Sequence, residues 1–355
     1  MDARFAAAGS ARGACTLAAV GFALVLLCLS LPAPAVVQAK TRIVWSSVDP
    51  NGARQRLVTA QPNGSQRREL TDPKPAHTQD IDAQFSPDGT QVAFERDLRN
   101  GKEAQIVLIG ADGQNEHVLD LGCTDPCALD AAPTWTPAAG RIAYTPVIGP
   151  FDLVNDSAHS AVLQTSTLVG SDPERLSEPG IDGVYEDYFA RYSPDGSYIV
   201  FTRVRNDPLA VAAFRMNADG SDVRRLTPWR LGGDLADLSP ATSGPTKDLV
   251  VFETYGMGPP EGKTQNIATV PSTCASLSAC KKQIRYLTNL KHGPKARFNP
   301  SWSPNGKRIA YTKFKGDKHE CCVGDIFTMR ADGSHRKPVS TSPNFEFRPD
   351  WGAAP

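Results

Sequence analysis

The chain has 355 residues with 38 basic and 38 acidic side chains, so it carries no formal net charge at neutral pH. That balance excludes the electrostatic footprint of a nucleic-acid binder, or of a protein held on acidic lipid by charge alone. With 29 Gly and 29 Pro, the composition argues for many short elements joined by turns, and the length suits two ordinary domains or one large all-β domain.

Residues 1–39 read as a secretory signal. Arg4 and Arg12 precede an apolar run from Cys15 to Leu31, and Val37 and Ala39 put small side chains just before Lys40. The run is long for a signal, so an uncleaved anchor is the alternative and would be the one point of membrane contact. Cys28 follows Leu27, too large for a lipid-attachment box. The chain from Lys40 is then exported (periplasmic, envelope-bound or secreted), where thiols oxidise. Its six cysteines suggest three local disulfides, Cys123–Cys127, Cys274–Cys280 and a vicinal Cys321–Cys322. His319 stands beside the last pair, but no second cluster has the spacing of a zinc finger.

From Lys40 onward the same phrase recurs. The chain opens on a strand-like run, "RIVWSS" at 42–47. A large apolar residue then anchors each repeat: Phe85 in "FSPDG", Trp135 in "WTPAAG", Tyr192 in "YSPDG", Leu238 in "LSPATSG", Trp302 in "WSPNG" and Trp351 in "RPDWG". These anchors lie 46 to 64 residues apart, and a β-rich run such as "QVAFER" or "YIVFTR" comes after each of the first five. Between later strand-like runs stand Asn63-Gly64, Asp112-Gly113, Asp219-Gly220 and Asp332-Gly333, the residue pairs that tight hairpins demand. Each unit thus holds four strands: the anchor strand, a second strand after the SPDG turn, a third after a variable loop, and a fourth after the hairpin. The first unit lacks an anchor strand and the last anchor, Trp351, lacks a partner. The expectation is an all-β, six-bladed β-propeller of four-stranded antiparallel blades spanning 40–355. Its C-terminal strand would join the N-terminal strands and close the ring.

The "FSPDG…VAF…ADG" pattern resembles the TolB-type, WD40-like propeller repeat called PD40, over essentially all of the chain after residue 39. That resemblance implies the fold and leaves the function open, because such propellers include binding proteins and the propeller parts of peptidases. TolB carries a separate N-terminal domain for which this chain has no room. No Gly-x-Ser-x-Gly elbow is present either.

Strand direction puts the SPDG turns and hairpins on one face. The variable connections, from second to third strand and from fourth strand to the next anchor strand, fall on the other face, which is the expected ligand face. Counting back five residues from each anchor gives Asp80, Asp130, Asp187, Gly233, Arg297 and Glu346. Two readings of this set stand. It could ring the channel mouth, with Asp234 alongside, and hold a divalent cation or a basic peptide. Alternatively its carboxylates could cap local backbone at the strand entry. Tyr188 and Trp229 are candidate contact aromatics, whereas Trp135, Trp302 and Trp351 read as core. No acid–base pair can be assigned from spacing. The functional expectation is a monomeric, non-catalytic propeller that binds a protein, a peptide or a cell-surface glycan, without nucleic acid and without a cofactor beyond a divalent cation. The alternative is a secreted polysaccharide lyase or hydrolase with a metal at the channel mouth.

Overall fold

Each SPDG stretch turns the chain because its serine hydroxyl takes over a backbone partner. Ser86 Oγ accepts from the Gln91 N–H at 3.0 Å and donates to Asp88 at 2.6 Å. Ser193 does the same with Tyr198 and Asp195, and Ser303 with Arg308 and Asn305. The turn glycines Gly89, Gly196 and Gly306 have φ of 64° to 73°, where a side chain would be strained. At the hairpins, Asp112, Asp219 and Asp332 each accept the N–H two residues on, a local bond that pins the turn.

The computed structural model describes residues 40–74, 78–98, 103–125, 127–149, 160–178, 184–256, 258, 263–291, 295–315 and 323–354. The segment read as a secretory signal, the pair Cys321 and Cys322, and His319 lie outside the described residues. Antiparallel four-strand sheets repeat along the chain. Gln79–Phe85, Gln91–Leu98, Glu103–Gly110 and His117–Val118 form one. Cys127–Trp135, Arg141–Ile148, Gln164–Thr167 and Glu174–Arg175 form another, with Ser160–Ala161 added on Arg141–Ile148. Tyr185–Tyr192 starts the next and Asp234–Leu238 the one after, each with three partner strands behind it. Lys295–Trp302 pairs Arg308–Lys315, then Val323–Arg330 and Lys337–Pro338. Finally Phe345–Ala353 pairs Thr41–Val48, which continues to Gln55–Ala60 and Arg68–Glu69.

The core lies between sheets, and the anchors build it as the sequence implies. Trp135 packs with Ala93, Ile106 and Leu108 of the preceding sheet. Trp302 packs with Val251 and Ile267, Phe85 with Val44 and Leu57, and Trp351 with Ala310 and Ile326. Each is under 9% exposed, worth roughly 2–3 kcal/mol apiece in apolar burial.

The disulfides Cys123–Cys127 and Cys274–Cys280 are both formed. Around the second, the expected hairpin is replaced by a short helix, Leu277–Gln283, capped where the Ala279 N–H donates to Ser276. Ser276 at the cap and the propensity of "LSACKKQ" favour a helical turn where no Asp-Gly is available.

Candidate functional site

The carboxylates picked by counting back five residues do not line a channel. Asp80 is fully buried and takes a two-pronged bond from Arg96, at 2.7 and 3.0 Å, on the strand next to it. Arg96 then reaches Glu116. Asp187 repeats the arrangement with Arg203, at 2.6 and 2.8 Å. Glu346 is buried against Arg67 at 3.1 Å. Asp130 is 5% exposed, and burial, with Asp120 nearby, pushes its pKa up to about 7. Arg297 donates to the Ala296 carbonyl, and burial, with Arg336 nearby, lowers its pKa. Tyr188 packs among Leu129, Ala131 and Val147, and its hydroxyl donates to Glu186. Asp80 and Asp187 are therefore buried cross-strand ion-pair partners, Glu346 is buried against an arginine from elsewhere in the chain, and Asp130 is buried beside Asp120. Among the described residues, one His/Cys/Asp/Glu group lies close enough to share an ion, Cys123, Cys127 and Asp130, and its two sulfurs are joined in a disulfide. Among the described residues the carboxylate set thus brings no three free ligand atoms together.

The physical reason is that both faces of each sheet are packed. Alternating side chains point toward the preceding and following sheets, so a channel is met by the edge of the anchor strand and not by one of its faces. Ser46 Oγ donates to the Asp80 carbonyl from one side, while Glu95, opposite Ile81, accepts the Ala132 N–H from the next sheet.

A bulge is the feature that turns toward the centre. Three residues before every anchor the backbone is left-handed: Asp82, Ala132, Phe189, Leu235, Asn299 and Arg348 have φ of 46° to 57°. The strand register slips by one residue at each of these places. Each non-glycine in this region costs roughly 1 kcal/mol, and the inserted residue re-aims the side chains between it and the anchor. These residues wall a waist of ≈ 40 Å³, room for about one water. Arg348 sits there over the Phe189 ring and contacts Asp82. Glu95, Asp234 and Glu253 accept the backbone N–H groups of the waist residues Ala132, Leu235 and Asn299, and their pKa values are raised first by burial. Asp234, a sequence candidate, thus belongs to the waist; its Oδ1 accepts the Leu235 N–H at 2.7 Å.

Sequence reasoning missed Glu95 and Glu253, although a signal existed. The residue after the aromatic of every second strand is polar and buried: Ser46, Glu95, Thr145, Thr202, Glu253 and Thr312. Such a residue interrupts an apolar strand at the same step in each repeat. Thr145 Oγ1 donates to the Asp187 carbonyl, and Glu253 accepts the Asn299 N–H at 2.7 Å, so the position bonds one sheet to the next.

On the SPDG-turn side the waist opens into a basin of ≈ 340 Å³. Pro87, Pro137, Pro194, Pro240 and Pro304 wall it together with the anchors. The position one before each anchor is polar in all six repeats, and five of these residues form the floor: Gln84, Arg191, Asp237, Ser301 and Asp350, with Thr134 bonded to Gln84 behind it. Arg191 is 3.5 Å from Asp237, and Gln84 bridges Arg191 and Thr134. Asp237 accepts the Trp302 N–H and Asp350 the Phe85 N–H, again tying neighbours together. Burial raises Asp237 and pushes Asp350 up to about 6. The floor carries one guanidinium against two carboxylates.

Radial four-strand sheets around a narrow central passage define a β-propeller. No family model matches the chain, and no curated protein does. Solved structures do. TolB of Acinetobacter baumannii gives a TM-score of 0.62 at 19% identity, over 88% of this chain and 66% of that one. Hydrazine synthase of Kuenenia stuttgartiensis gives 0.66 at 14% identity, over 89% and 47%. A chain of the nidogen/laminin complex gives 0.61 at 10% identity, over 88% and 99%. The fold is that of a TolB-like propeller, and the chain spans just under two thirds of the Acinetobacter TolB.

Proposed function

We propose that this is an exported, six-bladed binding propeller spanning 40–355. Its basin, on the SPDG-turn face and not on the variable-loop face that the sequence suggests, receives a protein segment presenting a cationic side chain. The pairing of Thr41–Val48 with Phe345–Ala353 supports closure by the C-terminal strand. Closure is also supported by contacts between successive anchor strands, which run from Gln79–Phe85 round to Phe345–Ala353 and back. The two disulfides support an oxidising compartment. The observation that carries the function is the basin. It is concave and walled by proline and aromatic side chains, and it converges on a floor of titratable groups with a net negative balance. A propeller of the nidogen/laminin complex shares the fold, which supports a protein as partner.

Photo-crosslinking tests the reading. A benzoylphenylalanine at Pro194 or Pro304 should yield one discrete adduct in the native envelope, absent from a probe at Val169, which is 81% exposed on an outer hairpin. Equal adducts from all three positions, or none from the basin, would remove the basin as the binding site.

A further inference from the structure

A second surface lies apart from the basin and shares no lining residue with it. It sits where the chain passes from Arg224–Arg225 to Asp234–Leu238, through the turn at Trp229–Leu231. Two adjoining grooves of ≈ 380 and ≈ 430 Å³ meet there, with Arg230 and Tyr255 common to both. Each is the size of a ligand pocket.

The chemistry of this surface is one-sided. The guanidiniums of Arg205 and Arg225 lie 5.0 and 5.1 Å from the Trp229 ring centre, and Tyr185 stacks on the same indole. Arg205 Nε is committed to the Pro208 carbonyl at 3.0 Å. Arg230 and Lys281 are exposed beside them. Among the described residues, none of these four cations has a carboxylate within ion-pair distance, whereas ten other described arginines do. Arg205 and Arg225 also repel one another, which helps burial to lower the pKa of Arg225. A cluster held together without counter-charge favours an anionic partner, and stacked guanidiniums hold their donors ready for carboxylates.

The walls narrow the class of partner. Leu209 is 58% exposed and Tyr286 48%, with Leu231 and Ile284 below them. Among the described residues the linings contain no Ser, Thr, Asn, Gln, Asp or Glu, so their polar groups are cationic side chains and tyrosine hydroxyls beside apolar walls. Acidic side chains interleaved with apolar ones match both features. We propose that this groove docks an acidic, apolar-containing peptide segment of a partner protein. It is independent of the basin.

The test is fluorescence anisotropy on the full chain with two labelled twelve-residue peptides, one alternating Glu with Leu and one alternating Lys with Leu, and with polygalacturonate as a third ligand. The acidic peptide should bind saturably and the basic one should not. Binding should weaken at least tenfold between 50 and 300 mM salt, and at least tenfold again in Arg205→Glu/Arg230→Glu. If that variant melts early, Arg230→Met/Lys281→Met, which alters two exposed side chains, gives the same reading with a smaller loss. No binding of the acidic peptide would overturn the proposal, as would binding unchanged in both variants. Variant-sensitive binding of polygalacturonate alone would replace the peptide with a glycan. Basin crosslinks should survive in these variants, so failure here leaves the basin proposal standing.

Discussion

Replacing Glu253 by Gln should stabilise the protein at alkaline pH and leave it unchanged at acid pH. Glu253 is 3% exposed and accepts from the Asn299 N–H and, at 3.3 Å, from Asn299 Nδ2. Burial, together with the charge of Asp234, pushes its pKa from 4.5 up to about 8. A carboxyl raised in this way holds its proton more tightly folded than unfolded. Its contribution to stability is fully present below about pH 4.5 and is lost as pH rises through about 8. At ~1.36 kcal/mol per pKa unit, a rise from 4.5 to about 8 bounds the loss at ~5 kcal/mol. Relaxation and water entry reduce such burial costs severalfold, which leaves ~1–2 kcal/mol. Gln keeps the oxygen that accepts from Asn299 and cannot ionise. Urea unfolding of both proteins at pH 5, 7 and 9 should show the variant gaining ~1–2 kcal/mol at pH 9 and nothing at pH 5. An equal gain at all three values, or a loss at pH 9, would refute the assignment of a neutral carboxyl at the waist.

The same geometry has other consequences. Asp187→Ala strands Arg203 among Tyr185, Phe201 and Phe214, so denaturant unfolding should show a loss of about 3 kcal/mol. A Cβ at Gly352 would lie 2.3 Å from Phe85 Cβ, so Gly352→Ala should cost about 2 kcal/mol by overpacking. A neutral result would mean that the C-terminal strand does not pack on the first anchor. Cys280→Ser opens a short loop whose closure is worth about 2 kcal/mol, readable as a lower melting temperature in non-reducing buffer. Chelation by EDTA should leave the melting temperature unchanged, because Asp80 and Asp187 are matched to arginines and the one ion-sized group among the described residues has its two sulfurs in a disulfide; a drop would restore the metal reading.

Much of the fold could be read from residue order because its determinants are local. Asp-Gly supplies a turn, Ser-Pro-Asp-Gly bonds within itself, and a large apolar anchor seeks burial whatever surrounds it. The local pairs Cys123–Cys127 and Cys274–Cys280 needed only short loops to close. The central site could not be read in the same way. The left-handed position holds Asp82, Ala132, Phe189, Leu235, Asn299 and Arg348, six side chains with no shared chemistry, so residue type does not announce it. A two-residue alternation counted across the bulge slips by one step and assigns Asp80 and Asp187 to the passage. Tertiary packing instead buries both faces of every sheet, pairs those carboxylates with Arg96 and Arg203, and leaves the strand edge to meet the centre. The repeat therefore determined which residues turn and which are buried. Which polar side chains share a space was decided by neighbouring sheets, because desolvation and charge pairing act between residues far apart in the chain.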